Sequence, residues 1–233
     1  MGTKGMESAR DGRKVIFLDI DGVLQPGSWQ YRFEHDLEEL RRNLAEKYQD
    51  DEYLLVDRYD IGAVTYDWYP DAVANLKTLI ERTGAEIVVS SDWRRSKILN
   101  WLKLLFRIHG LDGFIKDVTP DMSYHREEEI YAYLTSCNDV AGFVVIDDMN
   151  LLKGFPDNFV WVTRGYFNSD QLDMALKILV RKPAPAWMPN WMKPRRRPAV
   201  TSSKKHIAYF SVGCQWACQR HEQKKRLREE RRK

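Results

Sequence analysis

Long apolar runs and a disulfide framework are both missing from this sequence of 233 residues. No segment approaches the roughly 18 consecutive apolar residues of a membrane span. The polar residues 1–14 also lack the hydrophobic region of a secretory signal. Only three cysteines are present, Cys137, Cys214 and Cys218, and this small, odd number argues against a disulfide scaffold. We therefore expect a protein of the reducing cytoplasm that contacts no membrane.

Acidic residues are scarce in the last part of the chain. Residues 181–233 hold 16 of the 37 Lys and Arg but only 3 of the 34 Asp and Glu, a net charge of +13 against −10 for residues 1–180. Five prolines within residues 182–198 exclude a continuous helix or a central strand there. We predict a catalytic domain over residues 1–182, followed by a Pro-rich strap and basic tail over 183–233. The tail is either a solvated, disordered extension or a contact for nucleic acid.

Short apolar runs alternate with amphipathic patterns along the first 180 residues. Strands are predicted at 14–19, 85–90, 142–147 and 158–163, and helices at 33–49, 69–84, 96–110, 125–136 and 169–180. Ser169 is the expected cap of the last helix. Residues 53–68 are mixed and fit short strands. Because the strands are apolar on both sides and separated by helices, we predict an α/β domain with a mainly parallel sheet between helical layers.

Three of these predicted strands end in polar side chains. They are Asp19 and Asp21 at the end of the first, Ser90 and Ser91 at the end of the second, and Asp147 and Asp148 at the end of the third. The carboxyl ends of parallel strands share one edge of the sheet, and ligands bind there. Four carboxylates at one place repel one another unless a cation neutralises them, and oxygen ligands favour Mg²⁺ with a substrate phosphate. The sequence therefore predicts a magnesium site at this edge.

Four motifs resemble those of the haloacid dehalogenase (HAD) superfamily of phosphohydrolases, in the same order. They are VIFLDIDGVL, EIVVSSDWR, YHREEEI and FVVIDDMN. The last three are similar to the small HAD domains of predicted RNA-repair (Swiss Army Knife) proteins. The resemblance implies a Rossmann-like, HAD-type three-layer sandwich with a small cap insertion at about residues 25–70. It also implies Mg²⁺-dependent hydrolysis of a phosphomonoester through an aspartyl-phosphate.

The resemblance also implies roles for the motif residues. Asp19 would be the nucleophile and Asp21 the general acid and base, beside a tight turn at Gly22. Metal ligands would come from the four acids Asp19, Asp21, Asp147 and Asp148.

The hydroxyl and basic motifs leave alternatives open. Ser91 is the expected phosphoryl ligand and Ser90 its rival. Arg94 contacts either substrate phosphate or a surface acid. Arg126 is the expected cation beside the nucleophile. Its competitors are Arg95, Lys97 and Lys116.

Two other functions fit the same sequence. The basic tail favours a polynucleotide end as substrate, because Lys and Arg contacts to phosphate dominate nucleic-acid affinity. A non-catalytic binding module on the same scaffold is the second alternative, although the intact set of acids and hydroxyls argues against it.

Overall fold

Five parallel strands form one open sheet in the computed structural model, which describes residues 12–122 and 125–180. The strands are β1 (Arg13–Leu18), β2 (Glu86–Val89), β3 (Ile115–Val118), β4 (Val140–Asp147) and β5 (Phe159–Trp161). They lie in the order β3-β2-β1-β4-β5, so the chain builds outward from β1 in both directions. The predicted parallel α/β fold is confirmed. The direction of winding reverses between β1 and β4, and this is where ligands bind in such sheets.

Helices connect the strands and cover both faces of the sheet. They are α1 (Leu37–Tyr48), α2 (Arg58–Gly62), α3 (Pro70–Thr83), α4 (Trp93–Ser96), α5 (Leu99–Arg107), α6 (Arg126–Ser136) and α7 (Ser169–Val180). Ile16 and Leu18 of β1 belong to the core shared with α3, α5 and α7. Phe17 points the other way and packs edge-on against Tyr133 of α6, with ring centroids 5.6 Å apart. This two-sided burial explains the uninterrupted apolar run of β1.

One local prediction in this region of the chain is wrong and one strand was not predicted, each for a physical reason. The segment 53–68 holds helical turns instead of short strands, because Asp50 and Asp57 accept backbone N–H bonds and start them. These turns are Asp51–Leu54, α2 and the π-helical turn Ala63–Asp67. Strand β3 was not predicted, because it has only four residues and two of them are charged.

The segment between β1 and α3, residues 26–69, is called the insertion below. Among the described residues it contains helices and turns and no strand. None of the helices in the described part of the chain has the length and apolarity to cross a membrane. The predicted strap and basic tail lie outside the described residues.

The start of α7 differs from the prediction that Ser169 caps it. The side-chain oxygen of Asn168 accepts a hydrogen bond from the Gln171 N–H at 3.1 Å. The Gln171 side chain in turn accepts one from the Asn168 N–H at 2.9 Å. This reciprocal arrangement is a capping box, and it makes Asn168 the cap.

The capping box gives a test of the fold. Replacing Asn168 by Ala should lower the free energy of unfolding by about 1 kcal/mol, because one backbone N–H at the helix start loses its partner. The matched change Ser169→Ala should alter it by less than about 0.5 kcal/mol, since Ser169 is not the cap. Urea unfolding followed by circular dichroism measures both. A larger loss for Ser169→Ala than for Asn168→Ala would contradict the assignment.

Candidate active site

The polar residues after β1, β2 and β4 are direct neighbours at the carboxyl edge of the sheet. Leu18, the last residue of β1, pairs with the residue before Ser90 and with the residue before Asp147. The backbone hydrogen bonds between the strands continue one residue further. The Asp19 N–H donates to the Ile146 carbonyl at 3.0 Å, and the Ser90 N–H donates to the Leu18 carbonyl at 2.9 Å. Asp19, Ser90 and Asp147 therefore lie in one row across three strands.

Thr119 extends this row and was missed by sequence reasoning. Its N–H donates to the Val89 carbonyl at 3.0 Å, so Thr119 follows β3 as Ser90 follows β2. Both side chains are buried, and neither hydroxyl has a hydrogen-bond partner among the described residues. A prediction of β3 would have pointed to Thr119, because this hydroxyl residue follows the strand directly.

Arg126 bridges the two buried aspartates of the row. Its Nη1 atom lies 2.9 Å from Asp19 Oδ1 and 2.7 Å from Asp147 Oδ2. The three side chains are at most 7% exposed. Arg126 is the first residue of α6, and its guanidinium contacts these acids instead of the three glutamates that follow it.

The competing cations lie elsewhere. Within the described residues, Lys97 pairs with Asp60 at 3.3 Å and Lys116 with Glu86 at 3.7 Å. Arg95 pairs with acids other than Asp19 and Asp147. Arg126 is therefore the candidate for which the described residues show a contact with Asp19.

Three carboxylates converge beside Arg126. One oxygen each from Asp19, Asp147 and Asp148 lies within 4.8 Å of the others. Burial raises the pKa of all three carboxyls above the ordinary value of aspartate, and the Arg126 charge opposes this rise in each of them. An oxygen-only donor set with excess negative charge fits Mg²⁺. The described residues that would hold this ion are therefore Asp19, Asp147 and Asp148.

Gly22 lets the chain pass close to this cluster. Its φ of 75° lies in the left-handed region, and a Cβ atom there would collide with the Asp148 carboxylate. The predicted tight turn beside Asp21 therefore has a steric reason.

Asp21 lies near the cluster but has a different partner. Its Oδ2 accepts a hydrogen bond from the Trp93 indole N–H at 2.9 Å. Burial raises the pKa of Asp21, and the Trp93 hydrogen bond opposes this rise. Trp93 packs against the core and also contacts the predicted acid–base residue.

The two serines occupy different positions. Ser91 Oγ accepts the Trp93 backbone N–H at 3.4 Å, at the start of α4. Ser90 lies beside Asp19 in the row, and its hydroxyl has no hydrogen-bond partner in the part of the chain that the structure describes. The sequence favoured Ser91 as the phosphoryl ligand, whereas the register brings Ser90 closer to the nucleophile candidate. Both stay candidates.

Arg94 is buried within the protein, where its guanidinium supports the strand ends. It donates to the carbonyls of Ser90, Ser91 and Thr119 at 2.7, 2.8 and 3.1 Å. Its remaining nitrogen pairs with Glu129, and both side chains are at most 2% exposed. These contacts use four of its five N–H donors and disfavour the predicted contact with substrate phosphate.

The comparisons agree with this geometry. Residues 15–166 match the model of the family described as the HAD domain in Swiss Army Knife RNA repair proteins. The chain belongs to this family, so its class is that of HAD-type hydrolases. Searches of curated proteins and of solved structures found no match.

Magnesium and protons should compete for the acidic cluster. The raised pKa values of Asp19 and Asp147 mean that the folded state binds protons more tightly there than the unfolded state. Without a cation, stability from these groups falls as pH rises through the raised pKa values. Mg²⁺ binds the ionised carboxylates, so we expect it to raise the melting temperature more at about pH 8 than at about pH 5.5.

A thermal melt with and without Mg²⁺ at both pH values measures this effect. The variant Asp148→Asn should reduce the Mg²⁺-dependent rise, and Asp157→Asn, which changes an exposed acid, should not. Equal rises at both pH values would argue against a carboxylate site.

The Arg94–Glu129 pair gives a separate stability test. Arg94→Met should lower the free energy of unfolding by about 3–5 kcal/mol, because it leaves the buried Glu129 charge with less compensation and three carbonyls without their donor. Lys116→Met removes an exposed pair and should change it by less than about 1 kcal/mol. Urea unfolding measures both. A loss below that of Lys116→Met would show that Arg94 does not support the strand ends.

Proposed function

We propose that this chain is a Mg²⁺-dependent phosphatase that hydrolyses a phosphomonoester through a phosphoaspartate on Asp19. The observation that carries the proposal is the bridge from Arg126 to Asp19 and Asp147 at the switch point of the sheet. It orients one oxygen of Asp19 and leaves Oδ2 without a hydrogen bond from the described residues. Membership of a HAD family agrees with this chemistry.

The first step transfers the phosphoryl group to Asp19. The free oxygen of Asp19 attacks phosphorus and the bond to the leaving oxygen breaks. The Asp21 carboxyl gives its proton to that oxygen, so the alcohol leaves neutral. Arg126 favours the ionised form of Asp19 against the effect of burial, and it orients Asp19 for attack because the guanidinium holds the other carboxylate oxygen.

The second step releases phosphate. The Asp21 carboxylate takes a proton from a water molecule, whose oxygen attacks phosphorus. The bond between phosphorus and the Asp19 oxygen breaks, which restores the carboxylate of Asp19 and the proton on Asp21. Ser90 or Ser91 binds a phosphoryl oxygen through its hydroxyl. When Mg²⁺ is bound by Asp19, Asp147 and Asp148, it supplies neutralising charge at the phosphoryl oxygens.

We assign the insertion as a small cap on a catalytic domain of residues 1–182. The insertion begins a few residues after Asp21. Just before it, the backbone N–H of Gly22 donates a hydrogen bond to the Gln25 carbonyl at 2.7 Å. Its short helices cannot enclose a large volume, so the site suits a substrate with a bulky leaving group. Exposed rings on its surface, such as Phe33 at 61% exposure, agree with an accessible entrance.

A polynucleotide end is the second candidate substrate. It is favoured by the family description, which names RNA repair, and by the basic residues 181–233. In this case the same site removes a terminal phosphate, and the tail contributes sequence-independent phosphate contacts.

The nucleophile can be tested directly. Asp19→Asn should abolish hydrolysis of an aryl phosphate in the presence of Mg²⁺, because the amide oxygen is a poor nucleophile. Released phenol is measured by absorbance, and circular dichroism checks that the variant is folded. Asp157→Asn is the matched control and should keep full activity. A fully active Asp19→Asn variant would rule out the phosphoaspartate mechanism.

The choice of substrate needs a comparison at two salt concentrations. If a polynucleotide end is the substrate, kcat/KM for a 3′- or 5′-phosphorylated oligonucleotide should exceed that for a mononucleotide at low salt. It should also fall steeply as salt increases, since salt screens the contacts with the phosphate backbone. Equal kcat/KM for both substrates, with the same salt dependence, would favour a small phosphomonoester.

A further inference from the structure

The insertion is connected to Asp21 through two side chains that follow β2. Asp60 of α2 pairs with Lys97 at 3.3 Å. The Lys97 ammonium lies over the Trp93 ring, 4.5 Å from its centroid. The Trp93 indole N–H then donates to Asp21 Oδ2 at 2.9 Å. These four residues form a continuous path, called the Asp60–Asp21 path below, from the insertion to the predicted acid–base residue.

We propose that Trp93 is a positioning residue that holds Asp21 in place for proton transfer to the leaving group, and that Lys97 and Asp60 hold Trp93 in turn. This inference rests on the proposed phosphatase function and adds a determinant of leaving-group preference. It also gives the insertion a role in catalysis, because Asp60 lies on its helix α2.

The hydrogen bond fixes one oxygen of Asp21 and leaves the other available. An indole N–H is only a donor, so it cannot compete for the proton that Asp21 must give up. Oδ1 of Asp21 accepts no hydrogen bond within the described part of the chain, and it can therefore face the leaving oxygen. Asp21 is exposed although its carboxyl group is partly desolvated, and the Trp93 hydrogen bond restrains the rotation of this group. A fixed carboxyl group loses less entropy on reaching the productive geometry.

The indole is itself held on two sides. Trp93 is half-buried and packs against the core, with its ring 6.4 Å from the buried Trp68 ring. The Lys97 side chain is only 11% exposed and lies between the ring face and the Asp60 carboxylate. A cation on a ring face is attracted by its π-electrons and restrains the ring. The position of the N–H donor therefore depends on the insertion.

The general acid matters most when the leaving group is poor. An alkoxide must be protonated as it leaves, whereas an activated phenolate leaves without help. The ratio kcat/KM covers only the steps up to departure of the leaving group, so slow hydrolysis of the phosphoaspartate does not affect it. Comparing kcat/KM for an alkyl phosphate and an activated aryl phosphate therefore isolates the role of Asp21 as acid.

The test uses Trp93→Phe in the full-length protein. We expect kcat/KM for the alkyl phosphate to fall by about 10- to 100-fold, and kcat/KM for the aryl phosphate to change by less than about threefold. Trp93→His, which keeps a ring N–H, should recover part of the loss. Trp101→Phe on α5, which lies outside the insertion, is the matched control with the same change of ring, and it should leave both ratios as in the unmodified protein.

The roles of Asp60 and Lys97 in the Asp60–Asp21 path can be tested with the same two substrates. Asp60→Asn and Lys97→Met should each lower kcat/KM for the alkyl phosphate more than for the aryl phosphate, by a smaller factor than Trp93→Phe. These variants leave the indole in place, so they test the path even where Trp93→Phe folds poorly. Thermal melting of each variant in the presence of Mg²⁺ shows whether it is folded.

The outcomes separate this inference from the proposed function. Equal losses for both substrates in Trp93→Phe, or no loss, would overturn the positioning role while leaving the phosphatase assignment intact. Loss confined to the alkyl phosphate, with recovery in Trp93→His, would support it. An unmodified protein that hydrolyses neither substrate would overturn both, and the inactive Asp19→Asn variant distinguishes true hydrolysis from contamination.

Discussion

One guanidinium holds the carboxyl edge of the sheet together. Arg126 lies between Asp19 and Asp147, which come from β1 and β4 on either side of the point where the winding of the sheet reverses. Burying a single carboxylate is costly, and the cost is greater when a second acid lies beside it. A planar guanidinium reduces this cost because it can donate to both acids from one position. The remaining negative charge makes the place suitable for a divalent cation, which would in turn offset the charge of a phosphoryl group.

Helix α6 carries the supporting charges on one side. Arg126 and Glu129 are three residues apart, so they lie on the same face of the helix and both point to the sheet edge. Arg126 contacts the acids after β1 and β4, and Glu129 receives Arg94, which binds the backbone carbonyls after β2 and β3. A single helix therefore supports all four strand ends at which the polar row lies. The burial of Arg94 and Glu129 is therefore explained by their support of the strand ends, and it requires no contact with substrate.

Sequence reasoning succeeded where a local pattern is tied to a strong physical preference. The apolar run before Asp19 predicted a strand buried on both faces, and the helix predicted over residues 69–84 matches α3, which begins at Pro70 and ends before Gly84. It failed where two local signals competed. In residues 53–68 the β-branched and aromatic residues favoured strands, whereas the preceding aspartates favoured helical turns and determined the structure. β3 was not predicted because it is a short edge strand in which two charged residues interrupt the apolar pattern.

The sequence by itself determined the parallel α/β class, the HAD resemblance, and which polar residues lie at the ends of β1, β2 and β4. These properties depend on local periodicity and on residue types at short spacing. Only the tertiary structure decided which cation contacts Asp19, which hydroxyl lies beside it, and that Trp93 binds Asp21. Arg126 and Asp19 are 107 residues apart in the chain, and Trp93 and Asp21 are 72 apart. Contacts over such separations depend on strand order and register, which set the positions of side chains that no local pattern relates.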